Sequence, residues 1–305
     1  MNKLNLPTLI IPVFRGGDDF KRCLATLKDS VHLFSKICIS INGSEPSEDE
    51  ATLMHSHLFQ CSPIILKTNA NLPPVHHIIW ITRQLKSEIP GSQRVFLLCH
   101  DDELNSQHYA EWLSLCLTRN GNIAWIGSYK IIDMSSNESI TSSLPDSATD
   151  TPLSCREWLT YNSQQTAGHV FTNASGICVP FRVLDDVAKF WAFTHAKTGG
   201  RFEYMMLSHK SIEGISCCSN PIVTIHESLG QAGRSRSDEN LLRDEVRYSV
   251  WLILNARDIR DFLYISKSQW GGVSVVNNLK ALFKIEFGKL VKPVLKPFIQ
   301  KFLRK

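Results

Sequence analysis

Along the first hundred residues, short apolar runs alternate with segments whose apolar positions recur every three or four residues. Leu9 to Phe14 is almost wholly apolar, the pattern of a strand buried on both faces. After Gly16-Gly17, the spacing of Phe20, Leu24, Leu27 and Val31 predicts a helix, with Asp18 and Asp19 favourably placed against the dipole of its first turn. Ile37 to Ile41 predicts a second strand, Glu48 to Phe59 a helix and Ile64 to Lys67 a third strand. Pro74 to Glu88 predicts another helix, since Pro is tolerated in a first turn, and Val95 to Cys99 a fourth strand. This rhythm is that of β-α-β units, so the expected fold class is α/β, a Rossmann-like, mostly parallel sheet flanked by helices.

Beyond residue 105 the pattern loosens. Helices are expected over Ser106 to Thr118, Cys155 to Tyr161, Val183 to Phe193, Arg201 to Ser211 and Glu239 to Tyr264. Strands are expected over Ile123 to Ile132, Ile177 to Val179 and Ile222 to His226. Ser135 to Thr151, rich in Ser, Thr, Asp and Asn without periodicity, reads as a mobile loop.

Charge changes the picture at the C-terminus. The chain of 305 residues carries +4 overall, but residues 278–305 hold seven Lys and one Arg against one Glu. That segment is +7 and leaves −3 on residues 1–277, an acidic body that argues against nucleic acid as a partner. From Leu279 onward, apolar residues such as Phe283, Phe287 and Phe298 interleave with the cations, as in a helix lying on an anionic membrane surface, with Pro293 and Pro297 dividing it. The other reading of the same pattern is a helix folded onto the acidic body or a second subunit. The expected organisation is therefore a domain over 1–264, with halves at 1–105 and 106–264, followed by a linker and basic amphipathic segment over 265–305. Nine Cys scattered without a C-x-x-C pair point to reduced thiols and a cytosolic setting, and no apolar run approaches the ~18 residues of a membrane span.

The candidate chemistry begins with Asp101, Asp102 and Glu103, directly after the fourth predicted strand and therefore at the carboxyl edge of the sheet, where open α/β folds bind ligands. Carboxylates so close together repel unless a cation compensates, and hard oxygen donors suit Mg²⁺ or Mn²⁺ holding a diphosphate. The competing explanation is that Asp102 or Asn105 merely caps the following helix.

Three segments taken in order carry a resemblance: Leu6-Pro7-Thr8-Leu9-Ile10-Ile11-Pro12-Val13-Phe14, Ile39-Ser40-Ile41-Asn42-Gly43-Ser44 and Phe96-Leu97-Leu98-Cys99-His100-Asp101-Asp102. Over about the first 105 residues they resemble the opening of glycosyltransferase family 2. The resemblance implies a GT-A fold, a nucleotide-diphosphate sugar donor, usually a UDP-sugar, and transfer with inversion, assisted by Mn²⁺ or Mg²⁺. It places Pro12, Phe14 and Asn42 around the base and ribose, and Asp101 and Asp102 at the metal. Two positions depart from the family pattern: Ile41 stands where an acid is frequent, and Cys99 replaces the first Asp of the metal motif.

Further along, Gly199-Gly200-Arg201-Phe202-Glu203-Tyr204 resembles the family's loop leading to the catalytic base, which places Glu203 in that role; without the resemblance, Glu203 is an ordinary first-turn acid. Val223-Thr224-Ile225-His226 and Gln231-Ala232-Gly233-Arg234 resemble a strand-terminal His and a basic loop reaching the diphosphate, with His226 ligating metal or phosphate and Arg234 or Arg236 neutralising the leaving group. The family further implies a lipid-linked saccharide acceptor at the inner face of a bacterial membrane, in O-antigen or capsule synthesis. A sugar nucleotidyltransferase and a catalytically degenerate glycan-binding relative are the alternatives; Arg15-Gly16-Gly17 is too meagre for the triphosphate loop of the former. Trp112, Trp125, Trp158 and Trp191 are assigned to the core or to an acceptor cleft.

Overall fold

The computed structural model describes residues 5–43, 48–119, 121–133, 139–141, 151–158, 174–199, 201–227, 238–257, 269–270 and 273–274. At the centre lies β1 (Thr8–Val13), whose Leu9, Ile10, Ile11 and Val13 are fully buried because helices cover both faces of the sheet. Parallel to it run β2 (Lys36–Ile41), then β3 (Ile64–Lys67) on one side, and β4 (Arg94–Leu97) on the other. The crossovers carry α1 (Gly17–Thr26), α2 (Glu48–Met54) and α3 (Pro74–Leu85).

Past β4 the sheet becomes mixed. β5 (Asp102–Leu104) leads into α4 (Ser106–Leu117), then β6 (Ile123–Asp133), β7 (Ser139–Thr141), β8 (Ile177–Pro180), α5 (Phe181–Phe193), α6 (Phe202–Leu207), β9 (Gly214–Glu227) and α7 (Asp238–Asn255). The strand order is β3-β2-β1-β4-β8-β6-β9-β5, with β7 on β6; β8 runs antiparallel to β4 and β6, while β9 runs parallel to β6. A separate antiparallel pair, β10 (Gln269–Trp270) and β11 (Val273–Ser274), falls in the segment expected to be a linker.

Two apolar layers sandwich the sheet. On one face α3, α5, α6 and α7 bring Val75, Ile79, Val187, Trp191, Phe202 and Trp251 together with Ile10 and Ile126. On the other, α1 and α4 pack Phe20, Leu24, Trp112 and Leu113 against Leu9, Ile11 and Phe96. An aromatic chain runs through the second layer: Tyr109 lies 5.0 Å from Phe96 and 5.6 Å from Trp112, which meets Trp125 edge-on at 6.1 Å. Each such pair contributes about 0.5–1.5 kcal/mol beyond burial. Trp112, Trp125, Trp158 and Trp191 are all at most 2% exposed, which places them in the core rather than in a cleft.

Several boundaries differ from expectation. Ser139–Thr141, inside the predicted loop, pairs with β6; the rest of Ser135 to Thr151 lies largely outside the described residues. The helix expected from Glu48 to Phe59 stops at Met54, and His57–Cys61 continues as a 3₁₀ turn. The predicted Arg201 to Ser211 helix shortens to α6: left-handed Arg201 stands before its first residue, and the helix ends at Leu207 with Ser208 out of helical geometry. The strand predicted at Ile222 to His226 is the second half of a 14-residue β9. Residues 258–264 of the last predicted helix, and the basic segment 279–305, lie outside the described residues.

Candidate functional site

β4 ends at Leu97, and four residues later the chain has reversed. The Asp102 N–H donates to the Cys99 carbonyl at 3.1 Å, closing a single turn over Cys99-His100-Asp101-Asp102. The turn sets Asp101 near its apex, half-buried, and turns Asp102 inward, 2% exposed, as the first residue of β5. β5 pairs antiparallel with the end of β9, Asp102 opposite Ile225. Asn105, not Asp102, caps α4: its side chain accepts the His108 N–H at 3.1 Å.

Beneath the turn sits Ser175, in a 3₁₀ turn (Ala174–Gly176). Its Oγ accepts the Cys99 N–H at 2.8 Å and donates a short hydrogen bond to Asp102 Oδ2. The seat is tight, since a Cβ on Gly176 would lie 2.8 Å from the Gly127 carbonyl oxygen, and one on Gly127 would lie 2.1 Å from Ile222 Cδ1. Burial, then the neighbouring Asp101 charge, pushes the Asp102 carboxyl well above the usual range, against the hydrogen bond from Ser175. The Cys99 thiol is raised well above its ordinary value by desolvation and by Asp102, Asp101 and Glu203. Glu203 is the smallest of these influences.

Cys99 Sγ and one carboxylate oxygen each of Asp101 and Asp102 lie within 4.8 Å of one another. Two carboxylates that repel in a partly desolvated corner fit a hard divalent cation such as Mg²⁺ or Mn²⁺, which supplies the missing compensation. Asp101 and Asp102 are the residues that would hold it, whereas a thiol kept protonated adds no charge.

Glu103 faces a different way. Its Oε1 lies 2.7 Å from Arg22 Nε and 2.8 Å from His226 Nε2, joining α1 to the end of β9. The structure thus brings His226 to the rim of the acidic turn, on Glu103 rather than within the Cys99-Asp101-Asp102 group. Glu203 is positioned by the loop before α6. Thr198 Oγ1 donates to Asp244 at 2.7 Å, Arg201 Nε donates to Glu245 at 2.6 Å, and the Phe202 ring packs 4.7 Å from Trp191.

On the β1 side, the Pro12 carbonyl lies 3.2 Å from His100 Nδ1, and Phe14 is 37% exposed just past the strand. Asn42, expected around the ribose, is 6% exposed and turned to its own chain. Its Nδ2 donates to the Leu72 carbonyl at 2.7 Å, and its Oδ1 accepts from Leu72 N–H at 2.9 Å and Thr68 Oγ1 at 3.1 Å. Its side chain holds the 68–72 loop against the end of β2. Arg234 and Arg236 lie outside the described residues. Ser175 and the Arg22 link escaped the sequence reading because each acts on a partner more than seventy residues away, with no local motif.

No family model matches the chain, and no curated protein matches it by sequence. Solved structures do. S. aureus TarS 1-349 in complex with UDP-GlcNAc superposes with a TM-score of 0.58 at 10% identity, covering 93% of this chain and 74% of that one. TarS 1-349 in complex with UDP gives 0.56 at 10% identity, covering 93% and 73%. Identity this low establishes the fold, which is of the GT-A type: a mixed, curled sheet flanked by helices, with the acidic turn at its carboxyl edge.

Proposed function

We propose that this chain is an inverting glycosyltransferase that takes a hexose or N-acetylhexosamine from a nucleotide-diphosphate sugar. One observation supports the reading: Asp101 and Asp102 lie with Cys99 within 4.8 Å at the carboxyl edge of a sheet whose fold is shared with structures holding UDP-GlcNAc and UDP. In this reading Glu203 accepts the proton of an acceptor hydroxyl as that oxygen attacks the anomeric carbon. The bond to the diphosphate breaks on the opposite face, the electron pair leaves with the diphosphate, and the configuration inverts. A bound Mg²⁺ or Mn²⁺ on Asp101 and Asp102 supplies Lewis-acid stabilisation of that departing charge. Pro12 and Phe14 line the nucleoside side, Asn42 supports it through the 68–72 loop, and His226 and Arg234 serve the diphosphate.

The proposed acceptor is a lipid-linked saccharide, as in surface polysaccharide synthesis, approached from the cytoplasmic membrane face on which the basic segment 279–305 rests. Charge and apolar interleaving in that segment support this placement.

A panel of nucleotide sugars with Mn²⁺, followed by UDP release and by thermal shift, tests the function. The expected result is stabilisation by one donor and turnover that Glu203→Gln removes. A donor that binds without any turnover in the presence of membrane extract favours the second reading, a glycan-binding relative that has lost catalysis, for which Cys99 in the metal motif is the supporting observation. No binding of any nucleotide sugar overturns both.

A further inference from the structure

The loop between β1 and α1 concentrates unusual backbone within a few residues. Arg15 and Gly17 lie in the left-handed region at φ 51° and 50°. Between them, a Cβ on Gly16 would come within 2.5 Å of Phe20 Cβ and 3.1 Å of the His100 ring. A non-glycine residue in this region costs on the order of 1 kcal/mol and persists only where its surroundings hold it.

Asp49, reaching across from α2, does the holding. Its Oδ2 accepts the Gly16 N–H at 3.1 Å and its Oδ1 the Gly17 N–H at 2.9 Å, and the residue is 4% exposed. An exposed Lys21–Glu48 pair at 3.0 Å joins the same two helices but contributes little. The amides held this way directly follow Phe14 and Arg15. The Arg15 guanidinium lies over the Phe14 ring at 5.2 Å and has no carboxylate partner among the described residues. Both stand at the carboxyl end of β1, beside the β1–β4 boundary where the sheet order reverses and ligands of open sheets bind.

We propose that Asp49 is a positioning residue for the nucleotide donor, an inference that rests on the donor reading above. Its two acceptor bonds fix the backbone at 16–17, and through it the preceding Phe14 and Arg15, so that a flat apolar ring and an unpaired guanidinium face the nucleoside diphosphate. Asp49 touches no substrate, because both its oxygens are committed to the chain. Without it, Arg15 relaxes out of the left-handed region, Gly17 gains freedom, and donor binding must supply the lost order. The loop contacts the donor equally before and during transfer, so the effect falls on affinity rather than on the chemical step.

The experiment compares the full chain with Asp49→Asn and Asp49→Ala, titrating UDP and UDP-GlcNAc by calorimetry with Mn²⁺ present, alongside amide exchange over residues 14–21 and thermal melts. Asn keeps one acceptor and turns an NH₂ toward the other N–H, so UDP should bind on the order of tenfold more weakly, and more weakly still for Ala. Exchange at Gly16 and Gly17 should accelerate, while UDP release from UDP-GlcNAc at saturation stays within about twofold. Unchanged UDP affinity in both variants despite faster exchange overturns the proposal, as does a loss of saturated turnover with affinity intact. Should Ala fail to fold, Asn preserves side-chain size and carries the measurement. If the wild-type chain itself binds no nucleoside diphosphate, the donor reading falls first and takes this role with it; a normal wild type with insensitive variants removes the Asp49 role alone.

Discussion

Glu203 and Asn42 were both singled out by local sequence signals, and the structure gives each a different setting. Glu203 is an acid in the first turn of a six-residue helix, a placement that the dipole alone would favour, and its role as base is the part of the proposal that a substitution tests. Glu203→Gln keeps the shape and removes the proposed base, so on that proposal turnover should fall by about 10²–10⁴ with donor affinity retained, measured as UDP release against a UDP titration. Asn42 follows a strand in a turn sequence, but its side-chain polar atoms are engaged by residues 68 and 72. Asn42→Ala should therefore destabilise the chain by about 1–3 kcal/mol, visible as a lower urea midpoint, through the unsatisfied Leu72 N–H and carbonyl it leaves behind.

Elements were legible where physics leaves a local trace. β1, β2 and β4 read clearly because strands covered on both faces must be apolar throughout, and α1, α3 and α5 because one face of each must bury. β5 left no trace: Asp-Glu-Leu has no strand pattern, and only its register against Thr224 and its neighbours on β9 makes it one. The first half of β9 was hidden for a related reason, since Gly214 to Asn220 is punctuated by Ser and Gly, and its partner β6 lies about ninety residues earlier. The acidic turn was found because its carboxylates are adjacent; Ser175 and Asp49 were not, because what they satisfy is backbone far away. One local signal can be tested directly. Asn105 caps α4, so Asn105→Ala should cost about 1 kcal/mol in equilibrium unfolding, with nucleotide binding unaffected.

For the molecule as a whole, two properties follow from what is buried and what is charged. His77 on α3 is 3% exposed, with Nε2 2.7 Å from Ser40 Oγ, and burial followed by the nearby His100 lowers its pKa to about 4. The unfolded chain, titrating near 6.5, binds the proton first. Stability is therefore full above that pH and declines between 6.5 and 4, by on the order of 3 kcal/mol in all. Urea midpoints at pH 7.5 and 4.5 should show this decline, and His77→Gln should flatten it. The excess of cations in 278–305 predicts that the full chain sediments with anionic vesicles at low salt and that a chain ending at residue 277 stays in the supernatant; among the described residues no helix is long and apolar enough to cross a membrane. The seat beneath Asp102 has a consequence for anyone redesigning this protein. With Gly176 lodged on Gly127 and Gly127 on Ile222, that corner has no slack to accept even a methyl group. Saturation libraries of any kind should spare positions 127 and 176, where an added side chain has nowhere to go.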